Sequence, residues 1–281
     1  MTVPNSTRAA GKRGTPSPVR VVLLIFSYAA VVFLLSPILV VVATAFTATN
    51  FITFPPQGIS MKWYAAALEN RDLASALKAS VVVAISCGVL ATLIGAAAAI
   101  GLAMSTFRGK SAIATLFLSP LMLPAVVLGI AVLQFFARLG LLGGFVGVLL
   151  GHLLIATPYA VRLVGVSLNG FDWDIYRSAR NLGASQIAAI VRIVVPAIAP
   201  GMVAAFAFAF IMSFDEVTVS LFTTGPNFNT LPVVIFRWIE YSYEPVVAAA
   251  SAITVAIACV AMLVIFWVFG VEKVFGAEQV K

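Results

Sequence analysis

The sequence predicts an all-α integral membrane protein of six transmembrane helices, with a helical cytoplasmic loop between the fourth and the fifth. Hydrophobic side chains make up 62% of the 281 residues and charged ones only 10%, against about 25% charged in soluble domains. Six segments, 21–46, 79–107, 112–137, 139–161, 193–214 and 245–271, contain no Asp, Glu, Lys or Arg. Each reaches the roughly 20 residues that a hydrocarbon core about 30 Å thick requires. None shows the strict two-residue alternation of a membrane β-strand, and helices satisfy their own backbone in lipid.

Charge placement gives the orientation. Of seventeen basic residues, twelve fall where both termini are cytoplasmic: Arg8, Lys12, Arg13, Arg20, Arg108, Lys110, Arg162, Arg177, Arg180, Arg192, Lys273 and Lys281. Lys62, Arg71, Lys78, Arg138 and Arg237 remain outside. That asymmetry obeys the positive-inside rule. It also accounts for the net charge of +7 without nucleic acid as a partner. The lipid bilayer is the partner that composition itself demands.

Residues 1–19, rich in Ser, Thr, Pro, Gly and basic side chains, read as a disordered cytoplasmic tail. Residues 20–271 form the membrane domain and 272–281 a second cytoplasmic tail. Ala43-Thr44-Ala45 has the form of a signal-peptidase site, but the preceding apolar run exceeds the 7–15 residues of a signal core, so the first span stays uncleaved. Outside it, Phe54-Pro55-Pro56-Gln57-Gly58 is a turn. Ser60 then caps a short surface helix carrying Trp63 and Tyr64, residues suited to a membrane interface.

Spans two and three join at Arg108-Gly109-Lys110. Pro120 and Pro124 bend or unwind the third span, since each removes a helix hydrogen bond. Span four opens with Gly143, Gly147 and Gly151, four apart, a stripe that lets another backbone of the same chain approach. His152, the single histidine, has no acid in its span and reads as a packed or hydrogen-bonded side chain. Cys87 and Cys259 read as small packing residues. No residue set suits a metal, a cofactor or a nucleophile–base pair.

The stretch between spans four and five, 169–196, is the most informative. Acidic Asp172 and Asp174 favour a helix start, Gly183 can end that helix, and Ser185 can cap a second that runs to Pro196. This is a cytoplasmic helix–turn–helix. It resembles the EAA loop of ABC importer permeases, whose pattern is Glu-Ala-Ala, three residues, Gly, nine residues, then Ile-x-Leu-Pro. Ala179, Gly183, Ile193 and Pro196 match it. Arg177 stands for the Glu, Ser178 for the first Ala and Val195 for the Leu, so the charge at the first position is inverted. The resemblance extends over nearly the whole chain. Phe54-Pro55 with Trp63-Tyr64, Pro120 to Pro124 with Gly129-Ile130, Thr157-Pro158-Tyr159, Ser213 to Val217, Thr224-Gly225-Pro226 and Thr230-Leu231-Pro232 resemble the spermidine/putrescine branch. Permeases for iron, thiamine, opines and aminophosphonates share much of this phrasing.

The resemblance implies a type I importer in a bacterial inner membrane. In that arrangement a second permease subunit, the same or a sister chain, pairs with the first. A cytoplasmic ABC ATPase dimer docks on the EAA loop, and an extracytoplasmic binding protein delivers the solute. No Gly-x4-Gly-Lys-Ser/Thr phosphate loop occurs in this chain, so ATP hydrolysis is expected in the partner and not here. An ion-coupled secondary transporter is the rival class. It calls for internal repeats and intramembrane ionisable groups, and only Asp215 and Glu216 approach a span interior. From Pro196 to Asp215 a continuous helix would cover about 28 Å, which places the pair in the outer part of the bilayer. The pair reads either as a structural or interfacial pair held by Ser213, Thr218 or a neighbouring helix, or as an attractor for a cationic solute. Trp238, Glu240 and Glu244, with Tyr241 and Tyr243 on the last external loop, would extend it into an acidic, aromatic entrance.

Overall fold

The structure, a computed structural model, describes residues 18–241 and 244–269. The expected tails, with Arg8, Lys12, Arg13, Lys273 and Lys281, and the loop residue Tyr243 lie outside the described residues. Among the described residues there is no strand, only an isolated bridge between Gly225 and Phe228. Four helices are long and apolar enough to cross a membrane, and two bent pairs raise the number to as many as six.

The first helix, α1 (Pro18–Thr44), starts inside the expected tail. It is followed by α2 (Lys62–Glu69), whose Lys62 N–H is accepted by the Ser60 hydroxyl at 3.2 Å. Next comes α3 (Arg71–Met104), which begins eight residues before the expected boundary at 79. Its early start has a local cause. The Asn70 carboxamide oxygen accepts the Asp72 and Leu73 N–H groups at 2.9 and 3.0 Å, an N-cap that fixes the first turn.

Pro120 and Pro124 act as expected. Helix α4 (Lys110–Leu118) passes into a 3₁₀ turn at Ser119–Met122, and α5 (Ala125–Leu139) leaves it bent by 102°. Gly140, at φ +66°, closes α5 in the left-handed conformation. Consequently α6 (Phe145–Asn169) begins six residues later than the expected fourth span, and it runs on past 161.

After α6 come α7 (Trp173–Asn181) and α8 (Gln186–Ala189), then a π-helical turn at Ile190–Val194 and α9 (Val195–Ala197). Helix α10 (Ala199–Phe214) is bent by 71° from the run that precedes it. The fifth span is therefore not one straight rod from Ile193, because the break falls at Ile198, just after Pro196. The stretch read as an external loop holds two helices, α11 (Thr218–Thr223) and α12 (Leu231–Tyr241). The last helix is α13 (Val246–Phe269).

Within a bilayer no hydrophobic force drives one helix against another, so close packing and hydrogen bonds hold the bundle. The centre is made of α3, α6 and α10, and its buried residues are small: Cys87, Ala91 and Ala96, Ala156 and Ala160, Ala205 and Ala209. A Cβ added at Gly95 would stand 2.7 Å from Ala160 Cβ and 2.8 Å from its carbonyl carbon. One added at Gly88 would stand 2.9 Å from Phe206, and one at Gly201 would overlap Ser167. These pairings set the directions. Gly95 meets Ala160 while Gly88 meets Phe206 and Gly201 meets Ser167, so α10 runs antiparallel to α6. The C-terminal end of α6 and the N-terminal end of α10 lie together, with α7 and α8 linking them.

The start of α3 lies at the opposite end. There Leu73 and Ala76 pack with Ala67, Leu231, Val234 and Val247–Ala250, and the Leu231 N–H donates to Ser80 Oγ at 2.8 Å. Helix α1 stays apart from the centre. It packs chiefly along α13, and Phe26, Phe33 and Leu34 are 70–76% exposed.

Candidate functional site

The element between α6 and α10 is fixed at its base and open at its tip. The Asp172 carboxylate caps α7 by accepting the Asp174 N–H at 2.9 Å. Phe171, Trp173 and Tyr176 form a chain of edge-on rings, with centroids 5.1 and 5.8 Å apart, and pack against the central core. Gly183 takes φ +93°. There the Ala184 N–H returns to Ala179 O at 3.1 Å and the Gly183 N–H to Arg180 O at 3.1 Å. A guanidinium N–H of Arg180 crosses the turn to Ala184 O at 2.5 Å. Ser185 Oγ accepts the Ala188 N–H and so starts α8.

Beyond this scaffold the side chains project outward. Leu182 is 89% exposed and Ile187 75%, flanked by exposed Arg177, Ser178 and Gly183, while Ala179 and Ile193 are half-buried and Pro196 exposed. Arg177 Nε lies 3.0 Å from Asp174 Oδ1, an exposed i,i+3 pair of the kind that contributes at most about 1 kcal/mol. Two large aliphatic side chains thus stand exposed at the tip of an ordered polar element.

The acidic corner is built differently. Helix α10 ends at Phe214, and Asp215 closes it as C-cap with its side chain exposed. Glu216 turns back, and its Oε1 accepts the Val219 N–H at 2.8 Å, so that it caps α11. Behind the corner stands His152 on α6, 1% exposed. Its Nδ1 lies 2.7 Å from Ser213 Oγ on α10, and its Nε2 lies 2.7 Å from Ser220 Oγ on α11. His152, Met212, Ser213 and Glu216 border one small crevice.

Helix α11 lies in a notch made by glycines. A Cβ at Gly151 would stand 2.9 Å from Val219 Cγ1, and one at Gly129 would run into the Phe222 ring. The Gly143 N–H donates to Thr223 O at 2.9 Å. The glycine stripe of the fourth span thus serves packing inside the chain, but at three different places. Gly143 and Gly151 receive α11 and the turn after it, while Gly147 clears the Leu141 carbonyl.

Trp238 and Glu240 do not join this corner. They sit on α12, not on a loop, and Trp238 packs with α2, α3 and α13. There it borders two cavities, one of about 530 Å³ with Asp72, Lys78, Asn229 and Arg237, the other of about 270 Å³ with Trp63, Asn70 and Glu244. Glu240 and Tyr241 are exposed. Of the two cysteines, Cys87 packs in the core and Cys259 is exposed on α13. Ser220, which completes the bracket around the corner, carries no sequence signal of its own.

Residues 91–275 match the family described as the binding-protein-dependent transport system inner membrane component. The chain belongs to this family, the permease subunits of ABC importers. The spermidine/putrescine transport system permease protein PotC of Escherichia coli K12 is 31% identical over 239 residues, covering 85% of this chain and 90% of that protein. The putrescine transport system permease protein PotI of the same organism is 28% identical over 265 residues, covering 92% and 93%. Among solved structures, a bacterial ABC transporter that imports the acidic polysaccharide alginate is similar in fold. It gives a TM-score of 0.67 at 14% identity and covers 94% of this chain and all of that one. The same kind of transporter in complex with its alginate-bound periplasmic protein gives 0.72 at 14% identity, covering 91% and 94%.

Proposed function

We propose that this permease imports a small polycationic solute of the polyamine class across a bacterial inner membrane, by alternating access driven by a separate ABC ATPase dimer. The observation that carries the reading is the path of α10. This one helix of 16 residues, about 24 Å long at 1.5 Å per residue, links the α7–Gly183–α8 knob at one end to the Asp215–Glu216 corner at the other. The knob is the EAA loop, and its exposed Leu182 and Ile187 enter the ATPase. When the ATPases close and open, the knob moves as a rigid body and α10 carries that movement to the corner.

The six-span arrangement counts each bent pair as one crossing, with both termini and the 169–196 loop cytoplasmic. The uncovered apolar side of α1 suits lipid or the second permease subunit. The α2–α12 end then faces the extracytoplasmic binding protein. Between the two acids the roles divide. Glu216 is engaged in capping α11, whereas Asp215 is exposed and free to meet an ammonium group in the pathway. Similarity to permeases that carry spermidine and putrescine in their names supports the cationic substrate.

In the intact importer, Asp215→Asn is expected to reduce uptake of radiolabelled putrescine by about tenfold or more, the effect of losing about 1.4 kcal/mol of charge interaction. Membrane level and ATPase association should stay unchanged. Undiminished uptake by that variant would remove Asp215 from the pathway.

A further inference from the structure

We infer that His152 is a positioning residue for the solute site: it fixes the Asp215 carboxylate in place by bracketing the α10–α11 corner from behind. This inference rests on the reading of Asp215 as a pathway group.

The corner is a joint of three residues, Asp215 to Val217, between two helices. Left to itself such a joint would hinge, because only Glu216 ties the two sides together from within, through its cap on Val219. His152 supplies the outer tie. Ser213 lies two residues before Asp215 and Ser220 five after it, and one imidazole holds both hydroxyls at 2.7 Å. A neutral imidazole has one donor and one acceptor nitrogen, and a serine hydroxyl can act as either. A single tautomer therefore satisfies both bonds, with no charge placed in the membrane core.

The same ring rests on the central helix α6, beside Gly151, which receives Val219. The bracket thus ties the corner to the central helix α6 as well as to α10. A carboxylate held this way keeps its orientation on the corner as α10 moves, and needs no reorganisation to meet a cation. No aliphatic or smaller polar side chain at 152 could reach both hydroxyls at once. A packing role alone would ask only for volume, whereas two opposed hydrogen bonds on either side of an acid ask for the imidazole shape.

The test uses the purified permease–ATPase complex and equilibrium dialysis of radiolabelled putrescine, with co-purification of the ATPase as a control for assembly. His152→Leu should assemble normally and bind putrescine about tenfold more weakly, the loss that about 1.4 kcal/mol represents. His152→Gln, whose carboxamide can keep one arm of the bracket but not both, should recover only part of that affinity. The double variant His152→Leu/Asp215→Asn should bind no more weakly than Asp215→Asn alone, because the histidine acts through the acid. Where His152→Leu fails to assemble, Ser220→Ala removes one arm only and should still weaken binding about threefold at intact assembly. Wild-type affinity in His152→Leu or in Ser220→Ala would overturn the inference and leave the cationic reading standing. So would a double variant weaker by the product of both single effects. A wild-type complex that binds no putrescine would instead overturn the cationic reading, and this inference with it.

Discussion

Two adjacent carboxylates at the end of α10 have different employment, and the difference is measurable. Glu216 accepts a backbone N–H of α11, while Asp215 is exposed and its side chain caps nothing. Replacing an N-terminal capping side chain by alanine costs about 1 kcal/mol, which for a chain of this size shifts the melting temperature by about 2–4 °C. Glu216→Ala should therefore lower the melting temperature of the detergent-solubilised protein by about that amount, and Asp215→Ala should leave it in place. Equal shifts in the two variants would show that the cap is not what distinguishes them.

Sequence gives the acids as a pair, because neighbouring positions in a span interior are visible as such. It cannot separate their roles, since the separation depends on α10 ending at Phe214 and α11 starting at Thr218, where Glu216 meets the Val219 N–H. His152 is legible as a satisfied side chain from the lack of acids in its span. Its partners are not, because Ser213 and Ser220 lie 61 and 68 residues away.

At the scale of elements, local signals and tertiary signals divide cleanly. Pro120 and Pro124 announce the broken third span because the missing N–H groups act on their own helix. Gly183 announces the turn between α7 and α8 for the same reason, since the left-handed backbone is a property of that residue. Helices α11 and α12 give no such notice. The Gly-Pro and Thr-Leu-Pro phrases around them read as loop, and the notch of Gly129 and Gly151 that receives α11 comes from two other helices.

Gly183 also supports a prediction. An added Cβ there meets nothing within 4 Å, so a substitution acts through the backbone alone and not through a clash. Gly183→Val, a β-branched residue forced to φ +93°, should leave the protein at normal level in the membrane. It should sharply reduce the ATPase recovered with the protein, as the knob loses its shape. Full ATPase recovery with normal transport would dissociate this turn from docking.

For the whole molecule, the contacts establish two opposite ends: α7 and α8 at one, α2 and α12 with the polar cavities at the other. Charge bias then says which end is which. Twelve basic residues against five support the proposed orientation, with the α7–α8 end on the cytoplasmic side. Reporter fusions at Gly109 and Asn181 should accordingly read cytoplasmic, and those at Phe54 and Asn227 external. A cytoplasmic signal at Asn227 would break the six-crossing arrangement. The bundle is legible from composition and spacing because it depends on repeated local patterns, and the family is legible from the resemblance carried by the 169–196 loop. The internal geometry of the corner depends on three helices meeting, and only the folded chain displays it.

The central claim is that this chain moves a polycation only when a separate ATPase turns over. Proteoliposomes holding the permease with its partner subunit and ATPase, supplied with the binding protein on one face and ATP on the other, measure it directly through accumulation of radiolabelled putrescine. Accumulation that requires ATP, disappears when the ATPase is inactivated, and survives collapse of the proton and sodium gradients is the predicted result. Accumulation that continues without ATP and stops when those gradients are collapsed would contradict it.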